Sequence, residues 1–380
     1  MAACAVAGEE RRGDMRDAHD TTAAAGRRRY TAGVRERLLT WFDRHARPLP
    51  WRSERPRRPY AVLVAEALLQ QTRAERAADA FERFLQRFPD VATLAAASSD
   101  EVLERWQGLG YYQRALRLQH AARALVAHHD GLVPDDLEAL RALPGVGRYT
   151  SHAVAAQAFG HALIAVDANV RRVGARLLGL RQAATPTIEA GLHELLLAPQ
   201  SSDGDRRGDV AEALIELGAL VCTPRAPACG ACPLRSACRA AARDDPTAFP
   251  SPKPGSPPRR EPLRLLVARR GDCVALRRRP EHGRWGGLWG FPHLTDEAPR
   301  GRPLAGFVHT LSHRALLVRP LQVRPELAPE DATWLPLTRV AAGGAKHPVA
   351  VVDQRLARQL LRADAQRRHG GARCQNGDEA

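Results

Sequence analysis

The chain has 380 residues, 44% hydrophobic and 26% charged, ordinary values for a folded protein long enough to hold two domains with real cores. Its formal net charge of +15, carried almost wholly by arginine, favours an acidic polymer as partner, although an arginine-rich genome would supply part of that excess regardless. No run of about 18 apolar residues occurs, so no membrane-spanning helix and no membrane partner are expected, and the opening "MAACAVAGEERRGD" turns acidic before a signal-type apolar region develops.

Residues 1–30 are Ala, Arg and Asp without a core-forming pattern, and a disordered tail is expected there. From Val34 to about Arg239 apolar residues recur at three- and four-residue spacing. "VLVAEALLQQT" (62–72), "VLERWQGLG" (102–110), "ALRLQHAARALVAHH" (115–129) and "VAEALIELGALV" (210–221) are the clearest helical stretches. Glu66 lies inside the first of them. If it faces inward, desolvation raises its pKa and suits it to general-acid work; if outward, it is an ordinary surface glutamate.

Between the helical stretches "PDDLEALRAL" and "RYTSHAVAAQAF" stands "LPGVG", residues 143–147. Pro144 fixes φ, while Gly145 and Gly147 leave the backbone bare, so that amides can reach a phosphate and the following helix can point its positive end the same way. An ordinary tight turn has the same composition. Asp167, just ahead of "ANVRRVGARLLGL", reads as an N-cap.

Of seven cysteines, Cys4, Cys273 and Cys374 are scattered, and the odd total argues against a secreted disulfide framework. Cys222, Cys229, Cys232 and Cys238 crowd together at C-x6-C-x2-C-x5-C. Four thiols on a Pro- and Gly-containing loop, in a reducing compartment, point to a metal centre, either structural zinc or an iron–sulfur cluster. Residues 244–262 are Pro-rich and polar, a semi-rigid linker. Beyond it, two apolar runs around Gly271-Asp272 read as a β-hairpin, "RALLVRPLQV" and "ATWLPLTRV" as strands, and "VVDQRLARQLLRAD" as a helix, giving an α+β domain without internal repeats.

The hairpin together with the cysteine loop resembles the endonuclease III, or helix-hairpin-helix, superfamily of base-excision DNA glycosylases. Within it, "LPWR" (49–52), "AEALLQQT" (65–72), "GLGYYQRA" (108–115), "LPGVGRYT" (143–150), "VDANVRRV" (166–173) and "EALIELGALVC" (212–222) resemble the MutY adenine glycosylase family. "RWGGLWGFP" (284–292) and "HTLSH" (309–313) are similar to its C-terminal domain. The resemblance implies a mostly α helix-hairpin-helix glycosylase domain over 31–243, whose cysteine loop holds a [4Fe–4S] cluster. A C-terminal α+β Nudix-like domain that reads 8-oxoguanine follows over 263–365, and then a disordered tail over 366–380.

By the same resemblance Glu66 is the general acid. Asp167 stabilises the cationic sugar, and Asn169 orients it. Trp51, Arg52 and Glu212 line the adenine pocket, while Gln71 and Tyr111, with Leu109 beside them, enter the duplex. Gly145 and Gly147 grip DNA, and Leu311, Ser312 and His313 read the lesion. The implied partner is duplex DNA carrying adenine opposite 8-oxoguanine or guanine, bound by a monomer in the cytoplasm at the nucleoid; no protein partner follows.

Two departures matter. Leu311 stands where the family has an aromatic residue, and the second domain lacks the glutamate-rich box of a Nudix hydrolase. Tyr149 occupies the place where bifunctional relatives carry a lysine, which implies a monofunctional enzyme. A strand-cutting glycosylase for oxidised pyrimidines and a non-catalytic iron–sulfur DNA-binding protein are the competing readings. The C-terminal domain argues against the first, the pair Glu66 and Asp167 against the second.

Overall fold

The computed structural model describes residues 33–198, 206–243, 245–252, 257–294, 299–311, 313–344 and 346–373. The tail expected over 1–30, the last residues from 374 and Ser312 lie outside these.

Up to Leu220 the described chain is built from helices. Ala74–Arg87 buries Ala77, Ala80, Phe81 and Phe84, one stripe at helical spacing, and exposes the rest. Pro59–Leu69 differs: it opens on a proline at its first turn and is buried on every side from Ala61 to Leu68. It packs against Arg148–Phe159, which in turn packs against Arg207–Leu220, another helix buried all round. These three interior helices bring Glu66, Tyr149 and Glu212 to one place. Side-chain caps from Asp90, Ser98, Asp136 and Asp167 start four of the surrounding helices.

Two helical stretches end earlier than their apolar spacing suggests. The helix around Glu66 stops at Leu69, and Gln71 takes φ 58° in the turn after it. The helix Ser99–Arg105 gives way to a turn in which Gly108 and Gly110 have positive φ and Tyr111 has φ 47°. In both cases the period continues into residues whose backbone is needed for a turn.

The C-terminal part is a mixed seven-stranded sheet in the order β3 (Trp289–Gly290), β2 (Cys273–Arg278), β1 (Arg259–Arg270), β6 (Arg314–Val323), β4 (Arg302–Pro303). β5 (Phe307–Leu311) pairs with β6, and β7 (Thr333–Pro336) with β2. β1 and β6 run parallel over a long register, Arg259 opposite Arg314 through Ala268 opposite Val323. The hairpin read at Gly271-Asp272 joins β1 to β2, with Arg270 opposite Cys273 and Gly271 at φ 57°.

"ATWLPLTRV" is a strand only through Pro336; Leu337–Ala341 is a helix, because Pro336 ends the ladder and Leu337 and Val340 turn one face inward. The last helix runs Val351–Arg373, eight residues past the boundary expected at 365.

The Pro-rich segment is no free spacer. Phe249 is 2% exposed, its carbonyl accepts from Arg176 Nε at 3.0 Å, and Arg181 and Arg243 stand over its ring. At its other end the segment is already strand from Arg259. The two parts also share one apolar cluster, in which Gly287 packs against Leu103 and Leu116. Gln107 Nε2 donates to Gly343 O at 2.9 Å and Arg278 pairs with Asp100 at 3.0 Å across the same seam.

Candidate active site

A cleft of ≈ 700 Å³ opens between the interior helices, lined by Trp51, Arg52, Glu66, Gln71, Tyr149, Asp167, Asn169 and Glu212 among others. Eight residues expected at the site, spread along the sequence from Trp51 to Glu212, are thus brought together.

Glu66 is 3% exposed, so it faces inward. Its Oε1 accepts from Gln157 Nε2 at 2.9 Å, while Oε2 is buried and, among the described residues, has no hydrogen-bond partner. Burial pushes its pKa up to about 7, against the lowering effect of Gln157 and of the nearby Tyr149 hydroxyl; the charges of Glu212 and Asp167 raise it further. Burial likewise holds the Tyr149 phenol well above its ordinary range.

Asp167 has a different environment. Oδ1 caps its helix by accepting from Val170 N at 2.6 Å, and Oδ2 accepts from Asn169 Nδ2 at 3.1 Å. Burial raises its pKa and these hydrogen bonds oppose the rise. Asn169 is pinned in turn by Arg172 Nη2 at 2.9 Å, whose guanidinium also bonds Gly218 O at 2.8 Å and Cys222 O at 2.7 Å. Gly218 is required here, since a side chain would meet Asn169. A carboxyl raised chiefly by burial and one hydrogen-bonded at both oxygens therefore face the same space, a division suited to an acid and an anion.

Trp51 is 6% exposed and packs edge-on against Phe81. Arg52 Nε donates to Glu212 Oε1 at 2.9 Å, and Arg57 pairs with Glu212 at 2.5 Å. Behind them stands Glu216, which the sequence reading missed. It is fully buried, accepts from Arg47 Nε at 2.8 Å and Arg52 Nη2 at 3.1 Å, and these partners overcome burial to bring its pKa down to about 2.

At the mouth, Gln71 and Tyr111 hold left-handed backbone, a strain of roughly 1–3 kcal/mol for each non-glycine residue. Tyr111 is 46% exposed and Tyr112 4%, one out and one in. Leu109 does not stand free but belongs to the core. Arg114, also missed, braces both turns: it donates to Ala67 O and Leu68 O at 2.9 Å, to Thr72 Oγ1 at 3.2 Å and to Gly110 O at 3.1 Å, with its guanidinium over the Tyr111 ring. Burial lowers its pKa to about 10, which leaves it charged at neutral pH.

In the hairpin, Gly145 has φ 79° and sits against the Arg117 side chain, so it serves conformation and packing; Gly147 has open space where a side chain would be. The helix after it carries no acid in its first turn.

The four cysteines are unpaired thiols on the loop that packs on Leu234 and Ala237. Burial pushes Cys232 up to about 11, opposed by the Leu234 amide and helped by the charges of Cys222, Cys238 and Cys229. Arg176 Nη1 donates to Cys222 Sγ at 3.3 Å. A buried guanidinium on a sulfur fits thiolate ligands. Among the described residues no three such donors converge on a position for a single ion.

On the sheet, Leu311 opposite Arg314 closes the β5–β6 hairpin, with His313 exposed at its tip and Leu311 half-buried against the core.

Residues 64–196 match the HhH-GPD superfamily of base excision DNA repair proteins. Adenine DNA glycosylase of Mus musculus is 38% identical over 314 residues, covering 69% of this chain and 61% of that protein. Adenine DNA glycosylase of Homo sapiens is 34% identical over 379 residues, covering 78% of this chain and 69% of that one. The chain belongs to the adenine DNA glycosylase family. It spans about three-fifths of the length of the mouse and rat members, 61% and 63%. The family's helical fold also has a solved neighbour in a thermostable thymine-DNA glycosylase, with a TM-score of 0.51 and 29% identity, covering 57% of this chain and 98% of that one.

Proposed function

We propose that the protein is a monofunctional DNA glycosylase that removes adenine opposite 8-oxoguanine or guanine in duplex DNA, in base excision repair. The observation that carries the reading is Glu66: a carboxyl whose pKa burial pushes up to about 7, sharing a cleft with the hydrogen-bonded carboxylate of Asp167.

The chemistry follows from these groups. Adenine must leave the stack to be reached. Trp51 offers it a flat apolar wall, and Arg52 and Glu212 offer a donor and an acceptor to its edge. Glu66 gives its proton to the base as the N-glycosidic bond breaks, and the bonding pair leaves with adenine. Asp167 faces the positive charge that remains on the sugar, and Asn169 and the helix cap keep it there. Water then adds to the cationic carbon, and its proton restores the Glu66 acid. Tyr149 is a phenol without an amine, so no Schiff base forms and the strand stays intact.

Gln71 and Tyr111, strained and braced by Arg114, are the groups proposed to fill the hole and probe the opposite base. Gly147 and the helix behind it grip a phosphate. Cys222, Cys229, Cys232 and Cys238 are the residues that would hold a [4Fe–4S] cluster, which would cross-link the loop. The C-terminal sheet is proposed as a Nudix-like module that reads 8-oxoguanine through the hairpin at Leu311 and His313.

Asp167→Asn tests the reading. It should still bind an A:G duplex but release adenine at least about 100-fold more slowly, because the charge facing the sugar is gone. Wild-type release by this variant would refute the paired-carboxylate assignment.

A further inference from the structure

His152 is a buried titratable side chain that this chemistry does not use. It lies in the helix Arg148–Phe159, 3% exposed, with Nε2 3.0 Å from Arg141 Nη2. A guanidinium only donates, so Nε2 must be the lone-pair nitrogen and the ring proton sits on Nδ1. Nδ1 lies 3.2 Å from Ile164 O and 3.2 Å from Glu189 Oε1, both acceptors. The partners on the two sides therefore select one neutral tautomer.

Four segments meet on this ring, one of them the helix Thr185–Leu192 that brings Glu189. Arg141 belongs to Leu137–Ala142, the helix that enters the hairpin. His152 belongs to the helix that leaves it. Ile164 lies on the segment that runs to Asp167 three residues on. Charged neighbours complete the arrangement: Glu138 holds Arg141 Nη1 at 2.9 Å, and Glu189 takes Arg148 Nη2 at 2.6 Å.

We propose that His152 is a positioning residue: its neutral Nδ1–H form fixes the hairpin at a set distance from Asp167, so that the phosphate grip and the sugar-facing carboxylate engage DNA in one register. The inference rests on the reading of residues 143–147 as that grip. The Arg141 contact serves the hairpin and the Ile164 contact serves Asp167, so the two functions separate by variant.

The test measures duplex affinity across a salt series and single-turnover adenine release at saturating protein. His152→Leu loses the Arg141, Ile164 and Glu189 contacts: affinity should fall about tenfold and the salt slope should become shallower by about one phosphate contact. Its release rate should also fall about tenfold, as a small misplacement of the reacting groups does. His152→Gln keeps an acceptor for Arg141 and should recover affinity and slope but not rate; His152→Asn keeps a donor for Ile164 and should recover rate but not slope. Should the leucine variant fail to fold, the Gln and Asn variants carry the same split.

A purely structural histidine would lower thermal stability in all three while leaving slope and rate at wild-type values, and that result overturns the proposal. Gly147→Ala separates the two levels, since its φ of −92° and open surroundings accept a methyl group. If it weakens DNA binding while the His152 variants behave as wild type, only this inference falls. If it too leaves binding and salt slope untouched, the grip reading falls, and the inference with it.

Discussion

Replacing Glu66 with glutamine separates two consequences of one buried carboxyl. Its pKa stands at about 7 in the folded protein against an ordinary 4.5, chiefly because burial penalises the charge. The folded form thus holds the proton more tightly than the unfolded chain. Stability from this group is fully present below about pH 4.5, is lost as pH rises toward 7, and changes no further above that. The gap between the two values corresponds to about 3 kcal/mol. Glutamine carries no charge to bury, so Glu66→Gln should be more stable than wild type at pH 8 by up to about 3 kcal/mol, with the gain vanishing near pH 4. Its excision should fall by at least about 100-fold, since no proton is available for the leaving base. In the wild type, the protonated fraction falls from about 0.9 at pH 6 to about 0.1 at pH 8, so single-turnover release should drop nearly tenfold over that range. Urea unfolding at pH 5 and pH 8, beside single-turnover release across the same range, reads both effects. A variant no more stable at pH 8 than at pH 5, relative to wild type, would refute the burial argument. Wild-type release that rises through pH 7 would refute the acid role.

Gln157→Leu removes a hydrogen bond that holds the Glu66 pKa down, so the wild-type fall in rate should move to higher pH; a shift to lower pH would contradict the geometry. Tyr149→Lys should gain a borohydride-trapped covalent complex with DNA and strand cleavage without alkali, neither of which the wild type should give. Metal analysis of protein purified without air should find iron and sulfide in equal amounts and little zinc, and chelation that removes them should weaken DNA binding; a zinc-loaded, active protein would overturn the cluster reading.

Much of this site is readable from local pattern. The apolar run around Glu66 has no polar face, which is why that helix is interior and its glutamate desolvated. The Asp167 cap and the Gly271-Asp272 turn likewise follow from short-range chemistry. What escapes is contact at long range. Glu216 matters through Arg47, 169 residues away, and Arg114 through Ala67, 47 residues away, and neither separation leaves a period to detect. The docking of Phe249 escaped for a related reason: a Pro-rich composition predicts stiffness, and says nothing of the Arg176 donor waiting for a carbonyl. The helix ends at Leu69 and Arg105 escape because apolar spacing does not register the positive φ of the turn residues that follow.

The most direct test of the account is adenine release from otherwise identical duplexes in which adenine stands opposite 8-oxoguanine, guanine, cytosine or thymine. Under single-turnover conditions release should be fastest opposite 8-oxoguanine, slower opposite guanine and slowest opposite the pyrimidines, with every strand intact until alkali is added. Equal release from all four duplexes, or no release while oxidised pyrimidines are excised with strand cleavage, would contradict it.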